Sequence, residues 1–281
     1  MPKGTKKTLN CRGRLIDLTT PVVMGILNVT PDSFYTGSRV SANADLVERA
    51  GQMLADGATF IDIGGYSTRP GANDISPAEE ADRVLPAIEA VLRQYPNALI
   101  SVDTFRAEVA RQAVDAGASM VNDVAGGTLD PLMFETVAGL GVPYVLMHLR
   151  GNPKTMQSLS VYENLVVDVV DEIGVQLAKL RALGAKDVLL DPGFGFAKTP
   201  AQNFELLSQL NAFQQFDEPL LIGLSRKSTI WKTLNISADA ALNGTTVLNT
   251  AALLKGASVL RVHDVREAVE AIKLSQRLNF F

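Results

Sequence analysis

The sequence predicts a single (β/α)8 TIM barrel preceded by a short β-hairpin. Three observations lead there: eight short apolar runs, amphipathic stretches between them, and a glycine just ahead of several of the runs. Eight such units in roughly 250 residues suit a closed parallel barrel, whereas a doubly wound sheet would show fewer strands and a Gly-rich turn after the first.

The elements follow in order. Thr8 to Leu18, with Gly13 at its centre, reads as a hairpin that closes the barrel's bottom. Residues 1–20 are therefore assigned to an N-terminal extension and residues 21–281 to the barrel. The barrel strands are expected at Val22 to Leu27, Phe60 to Ile63, Leu99 to Val102 and Met120 to Val124. Tyr144 to Met147, Val188 to Leu190, Leu220 to Ile222 and Val259 to Val262 complete the set. Helices between them are expected to stop at Gly57, Gly117, Gly141, Gly184 and Gly256. Two connections, Val29 to Ser41 and Gly64 to Ser76, are long for this architecture and rich in Pro, Gly and polar residues, which suits mobile lids.

Composition narrows the function classes. A net charge of −4 argues against a general nucleic-acid binder, because that affinity rests on a basic face that releases counterions. No apolar run approaches the ~20 residues of a membrane-spanning helix, and the lysines of the first ten residues are followed by no apolar signal core. Cys11 is the one cysteine, which suits a reducing compartment. A cytoplasmic protein acting on small molecules is expected, with neither nucleic acid nor membrane as partner.

In a barrel of this kind the strand C-termini converge on one mouth. Read in order, they offer Asn28, Asp62, Asp103, Asn122 with Asp123, His148, Asp191, Ser225 with Lys227, and Arg261 with His263. Any one of these could simply cap a loop or helix. Together they are harder to dismiss, because the same strands carry almost no polar residue inside their apolar runs. Carboxylates and an amide suit the N–H donors of a flat heterocycle, and cations suit a separate anionic group. Arg261 and His263 lie two apart on one strand end and so share a side of it.

Other motifs yield less. Gly193 to Thr199 resembles a phosphate loop, but Ala197 stands where a glycine should precede Lys198. Gly223 to Lys227 resembles a nucleophile elbow with Lys in its last place, and a Schiff-base lysine at 227 would need more apolar neighbours than Ser225 and Arg226. Neither His148 nor His263 has zinc-site spacing.

Several separate motifs resemble the dihydropteroate synthase family from Met24 to about Ile272. They are Met24 to Phe34 (MGILNVTPDSF), Gly64-Gly65 with Ser67 to Gly71 (STRPG), Ser101 to Thr104 (SVDT), and Asn122-Asp123. Met147-His148, Asp191 to Phe196 (DPGFGF), Ser225 to Ser228 (SRKS) and Arg261 to Val265 (RVHDV) complete the pattern.

The resemblance implies a transferase of folate biosynthesis that condenses (7,8-dihydropterin-6-yl)methyl diphosphate with 4-aminobenzoate. It implies that Asp103, Asn122, Met147, Asp191, Lys227 and Arg261 hold the pterin, and that Asp103, Asp191, Lys227 and Arg261 carry catalysis. Asn28, Arg261 and His263 would enclose the diphosphate, with Mg²⁺ on its oxygens and Asn28 as the protein's contribution to the metal. Thr68, Arg69, Pro70, Phe196 and Ser225 would receive p-aminobenzoate. A homodimer and sulfonamide sensitivity are further family expectations. Two positions depart from the family pattern: Thr36 replaces an acidic residue in the first loop, and Tyr66 occupies a position expected to serve loop packing. The rival readings are a methyltetrahydrofolate-type methyltransferase, disfavoured by Thr68-Arg69-Pro70 and Ser225-Arg226-Lys227, and a silent pterin-binding protein, motivated by Thr36.

Overall fold

The computed structural model describes residues 7–29, 39–67 and 74–278, without the side chains of 39–43. Two antiparallel strands, β1 (Thr8–Cys11) and β2 (Arg14–Asp17), form the expected hairpin. Eight parallel strands follow and close into a barrel. They are β3 (Val22–Asn28), β4 (Phe60–Gly64), β5 (Leu99–Asp103), β6 (Met120–Asp123), β7 (Tyr144–Met147), β8 (Val188–Asp191), β9 (Leu220–Ile222) and β10 (Ala257–Val262). The sequence-derived runs agree with these to within one or two residues at each end.

The helices alternate with the strands: α1 (Arg39–Ala55), α2 (Pro77–Gln94), α3 (Ala107–Asp115), α4 (Met133–Leu140), α5 (Leu165–Ala182), α6 (Pro200–Ser208) and, last, α9 (Val265–Arg277). The β9–β10 connection holds two α-helices, α7 (Ser228–Leu234) and α8 (Leu242–Leu254). Local chemistry sets several of their ends. Ser76 and Thr199 each form a capping box, with Glu79 and Gln202, and proline opens both helices. The five glycines read as helix stops all lie at positive φ, and Gly141 caps α4 at φ 64°, where a side chain would be strained.

Alternation along the strands sorts the interior into layers. Met24, Phe60, Leu99, Met120, Val145, Leu189, Leu221 and Val259 fill the bottom, packed against Leu9, Cys11, Ile16 and Leu18 of the hairpin. The hairpin thus covers the barrel floor with apolar side chains. Two residues further along each strand come Ile26, Asp62, Ser101, Asn122, Met147, Asp191, Gly223 and Arg261. Two more reach the rim at Asn28, Gly64, Asp103, Val124, Leu149, Gly193, Ser225 and His263. The intervening residues, among them Val23, Ile61, Val121, Leu146, Leu190 and Leu260, face the helices in the outer core. The barrel is therefore apolar below and polar above, which places the chemistry at the strand C-termini.

Candidate active site

Four strands supply the centre of the mouth. Arg261 on β10 reaches across the lumen, its Nε donating to Asp62 Oδ2 at 2.7 Å and its Nη2 to Asp103 Oδ2 at 2.6 Å. Asn122 Nδ2 donates to the same Asp62 oxygen at 2.9 Å. Asp62 is fully buried and Arg261 only 18% exposed, so the pairings act with little solvent screening. Burial works against the Arg261 charge, but Asp62 and Asp103 outweigh it and hold its pKa above the ordinary arginine value. Asp103 moves the other way. Burial pushes its carboxyl up to about 7, Arg261 pulls it back, and Asp62, Glu80 and Asp123 add like-charge pressure.

A second pair lies beside the first. Asp191 is buried at the end of β8, and burial raises its pKa against the pull of Lys227. Burial likewise lowers Lys227 to about 8, with Asp191 opposing. Gly223 sits between them: a Cβ there would lie 3.7 Å from Lys227 Nζ and 4.0 Å from Asp191 Oδ2. Lys227 Nζ also donates to the Phe194 carbonyl and stands 4.7 Å from the centre of the Phe196 ring. On the β6 to β8 side, Val124, Ala125, Met147, Leu149, Met156 and Ala197 form an apolar cluster flanked by Phe105 and Phe196. The mouth thus combines paired buried charges with an apolar wall, a combination that suits a polar-edged aromatic ring.

Ser225 and His263 meet at the rim. Ser225 Oγ accepts from the His263 backbone N–H at 3.1 Å and lies 3.0 Å from Nδ1. The pairing ties the imidazole to the β9 loop through both its backbone and its ring. Behind them Arg226, at φ 52°, grips Asp264 through Nε at 2.9 Å and Nη2 at 2.8 Å and fixes the β9 loop. Arg226 is thereby spent on architecture, while its neighbours face the mouth. Asn28 ends β3 in register with Gly64 and is half-buried.

Two residues read as mouth residues face elsewhere. Asp123 lies on the helix side of β6, where its carboxylate accepts from Tyr144 Oη at 2.6 Å, the Ala125 amide at 2.7 Å and the Gly127 amide at 2.8 Å. It braces the β6 turn. His148 continues the outward side of β7, with Nε2 3.0 Å from Glu172 and Nδ1 2.9 Å from Lys198. Burial holds its pKa down at about 4, so the ring is neutral. Of the four strand-end carboxylates, Asp62, Asp103 and Asp191 therefore face inward and Asp123 does not. The opposed charges are also interleaved as ion pairs rather than segregated into a negative and a positive cradle, because Arg261 is long enough to cross to β4 and β5.

Thr68, Arg69 and Pro70 lie outside the described residues, as do Thr36 and most of the two long connections. Tyr66 behaves as loop packing: its ring meets Phe105 edge-on at 5.0 Å, and the Arg106 guanidinium stands 5.3 Å from it. Reading the sequence missed the hub role of Asp62 and the whole of Lys198. A lone lysine inside the otherwise uncharged stretch 192–203 that follows Asp191 was the available signal for the latter.

Residues 24–263 match the family model described as pterin binding enzyme. The chain belongs to this family. It is similar to the dihydropteroate synthase of Escherichia coli K12, 44% identical over 268 residues covering 95% of this chain and 94% of that one. Among solved structures, a Yersinia pestis dihydropteroate synthase in a sulfonamide drug complex is 41% identical with a TM-score of 0.90, covering 97% and 99% of the two chains. A Xanthomonas albilineans dihydropteroate synthase in complex with 7,8-dihydropteroate is 36% identical with a TM-score of 0.87, covering 97% and 98%. Likeness over nearly full length makes the family's barrel mouth and this one comparable strand by strand.

Proposed function

We propose that this chain is a dihydropteroate synthase. It transfers the (7,8-dihydropterin-6-yl)methyl group from its diphosphate ester to the amine of 4-aminobenzoate, releasing 7,8-dihydropteroate and diphosphate, a step of folate biosynthesis. The reading is carried by one observation: Asp103, Asn122, Asp191, Lys227 and Arg261, dispersed over the sequence, converge at the mouth of a barrel that is 44% identical to such an enzyme. A methyltransferase reading has no comparable support.

The roles follow from the chemistry of the groups. Asp103 and Asp191 accept the N–H donors of the pterin, Asn122 adds an amide, and Lys227 donates to the ring's acceptor side. Met147 and the Arg261 guanidinium lie against the ring. Arg261, Asn28 and His263 receive the diphosphate. Phe196, Ser225 and the loop residues Thr68, Arg69 and Pro70 take 4-aminobenzoate.

The C–O bond to the exocyclic methylene breaks with its electron pair leaving on the diphosphate. The arylamine nitrogen then forms the C–N bond and gives up a proton. No side-chain nucleophile takes part. Buried carboxylates beside the ring stabilise the positive charge that develops there, and cations at the rim stabilise the leaving anion.

Mg²⁺ is proposed to arrive on the diphosphate. Among the described residues no group of three His, Cys, Asp or Glu could hold a metal by itself. The protein offers Asn28 instead, which suits an ion that keeps its waters and binds mainly through substrate phosphates. Incubating the protein with both substrates and Mg²⁺ is expected to yield 7,8-dihydropteroate and one diphosphate per turnover, and omission of Mg²⁺ to stop it. Tight pterin binding without product would instead support a silent binding protein.

The pH profile gives an independent check on Asp103. Only the ionised carboxylate accepts at both oxygens with charge assistance, and burial raises Asp103 to about 7. kcat/KM for the pterin diphosphate is therefore expected to rise as pH increases through about 7, and Asp103→Asn to flatten that limb. A limb that survives the substitution belongs to another group.

A homodimer and a cytoplasmic location complete the proposal. The thirteen residues of α8 include no charged side chain, yet Val247 is 57% and Leu254 46% exposed. An uncharged surface helix with exposed apolar residues suits a subunit contact. Light scattering is expected to return twice the 30.1 kDa chain mass, and Val247→Glu to return the monomer. The buried thiol of Cys11 and the absence, among the described residues, of a helix long and apolar enough to cross a membrane fit the location.

A further inference from the structure

The loop after β8 bends sharply, and its carbonyls need donors. Gly193, Gly195 and Ala197 lie at φ 73°, 81° and 48°, three left-handed residues within five. Gly193 has no alternative: a Cβ there would lie 2.0 Å from the His148 carbonyl oxygen. This winding turns the carbonyls of Gly193 and Phe196 toward one point behind the loop, where Lys198 Nζ donates to them at 3.1 and 3.2 Å. Its third hydrogen goes to His148 Nδ1 at 2.9 Å. Three acceptors around one ammonium use every donor it has.

The histidine is oriented in turn. Glu172 on α5 accepts from His148 Nε2 at 3.0 Å, which leaves Nδ1 as the acceptor for Lys198. Arg150 steadies Glu172, donating from Nε at 2.9 Å. Tyr162, whose ring lies under the Arg150 guanidinium at 3.9 Å, donates to the Ala197 carbonyl at 2.9 Å. The same loop carries Asp191 at its start, through Gly193 N–H to Asp191 Oδ1 at 2.8 Å, and Phe196 near its end. Lys198 itself is 4% exposed, with its ammonium on His148, whose side chain leaves β7 on the side away from the lumen.

We propose that Lys198, aimed by His148 and Glu172, is a positioning residue that holds the β8 loop in the shape presenting Asp191 and Phe196 to the two substrates. The inference rests on the condensation proposed above. Burial lowers the Lys198 pKa to about 7 against the pull of Asp191, with Lys227 and Arg150 adding like charge and Glu172 opposing them. The loop is thus held by an ammonium whose charge is opposed by its own surroundings.

The test compares the parent enzyme with Lys198→Ala and Lys198→Met. Lys198→Ala removes a three-carbon amine, so n-propylammonium is the matching probe for the space it leaves. Misplacing reacting groups by about 1 Å costs about 10²-fold. A fall of that order in kcat/KM is expected for both variants, with KM rising for both substrates. Millimolar n-propylammonium is expected to restore at least about tenfold of it in Lys198→Ala and nothing in Lys198→Met, as the methionine fills the space. Lys198→Met with parental kcat/KM would overturn the proposal, as would a folded Lys198→Ala that the amine leaves unchanged. Should Lys198→Ala fail to fold, the Lys198→Met kinetics decide alone. A parent protein without turnover would instead refute the condensation, and the positioning role with it.

Discussion

Arg261→Ala is expected to cost this chain about 10²- to 10³-fold in kcat and about 3–5 kcal/mol of stability. The two losses share one origin. Arg261 is the common partner of Asp62 and Asp103, two carboxylates held in the barrel interior, the first fully buried and the second 16% exposed. Removing the cation leaves both facing each other in a site of low dielectric, where unpaired charge is expensive. Asp103 is already raised to about 7 with Arg261 in place, and without it the carboxyl would be protonated at neutral pH. A protonated Asp103 loses an acceptor for the pterin, and the diphosphate loses its cation. The double variant Arg261→Ala with Asp103→Asn is expected to recover part of the stability in urea denaturation and none of the turnover. Unaltered stability in Arg261→Ala would show that the two ion pairs contribute nothing, and equal losses of pterin and pterin diphosphate binding would remove Arg261 from the anion subsite.

Asp191→Asn is the second large effect. Affinity for the pterin is expected to fall by about 1–3 kcal/mol, because a buried ring donor loses a charge-assisted acceptor. The substitution is gentle on the fold. One carboxylate oxygen accepts from the Gly193 amide at 2.8 Å, and the asparagine carbonyl can keep that bond. The other position becomes an N–H₂ group set against a ring donor and against Lys227, whose ordinary positive charge Asp191 now supports. Lys227 is then expected to titrate below its present value of about 8. Calorimetry with the pterin reads the first effect, and unchanged affinity would take Asp191 out of the site.

Most of the scaffold could be read along the chain. Val22 to Leu27 and its seven counterparts are apolar runs of strand length, and glycines such as Gly141 end helices where a left-handed residue is needed. Asn28, Asp103, Asn122, Asp191 and Arg261 were recognisable because polar residues closing apolar strands stand out. Their facing was harder. A parallel barrel strand is buried on both sides, so no polar alternation marks the lumen, and a shift of one residue exchanges the two faces. Asn122 and Asp123 are adjacent and equally polar, yet one bonds Asp62 in the lumen and the other Tyr144 beneath the helices. His148 was misplaced for the same reason. The parity of Arg261 and His263 was legible because two like-facing residues on one strand define the face between them.

Sequence alone determined the architecture, the strand-end chemistry and the family, because apolar periodicity, turn residues and local motifs are properties of neighbours along the chain. Tertiary structure alone decided which charges neutralise which. Arg261 meets Asp62, 199 positions away, and Lys198 meets His148, 50 positions away, only after the barrel closes. Ion pairing and pKa depend on distance and burial in space, and both come into being with the closed sheet.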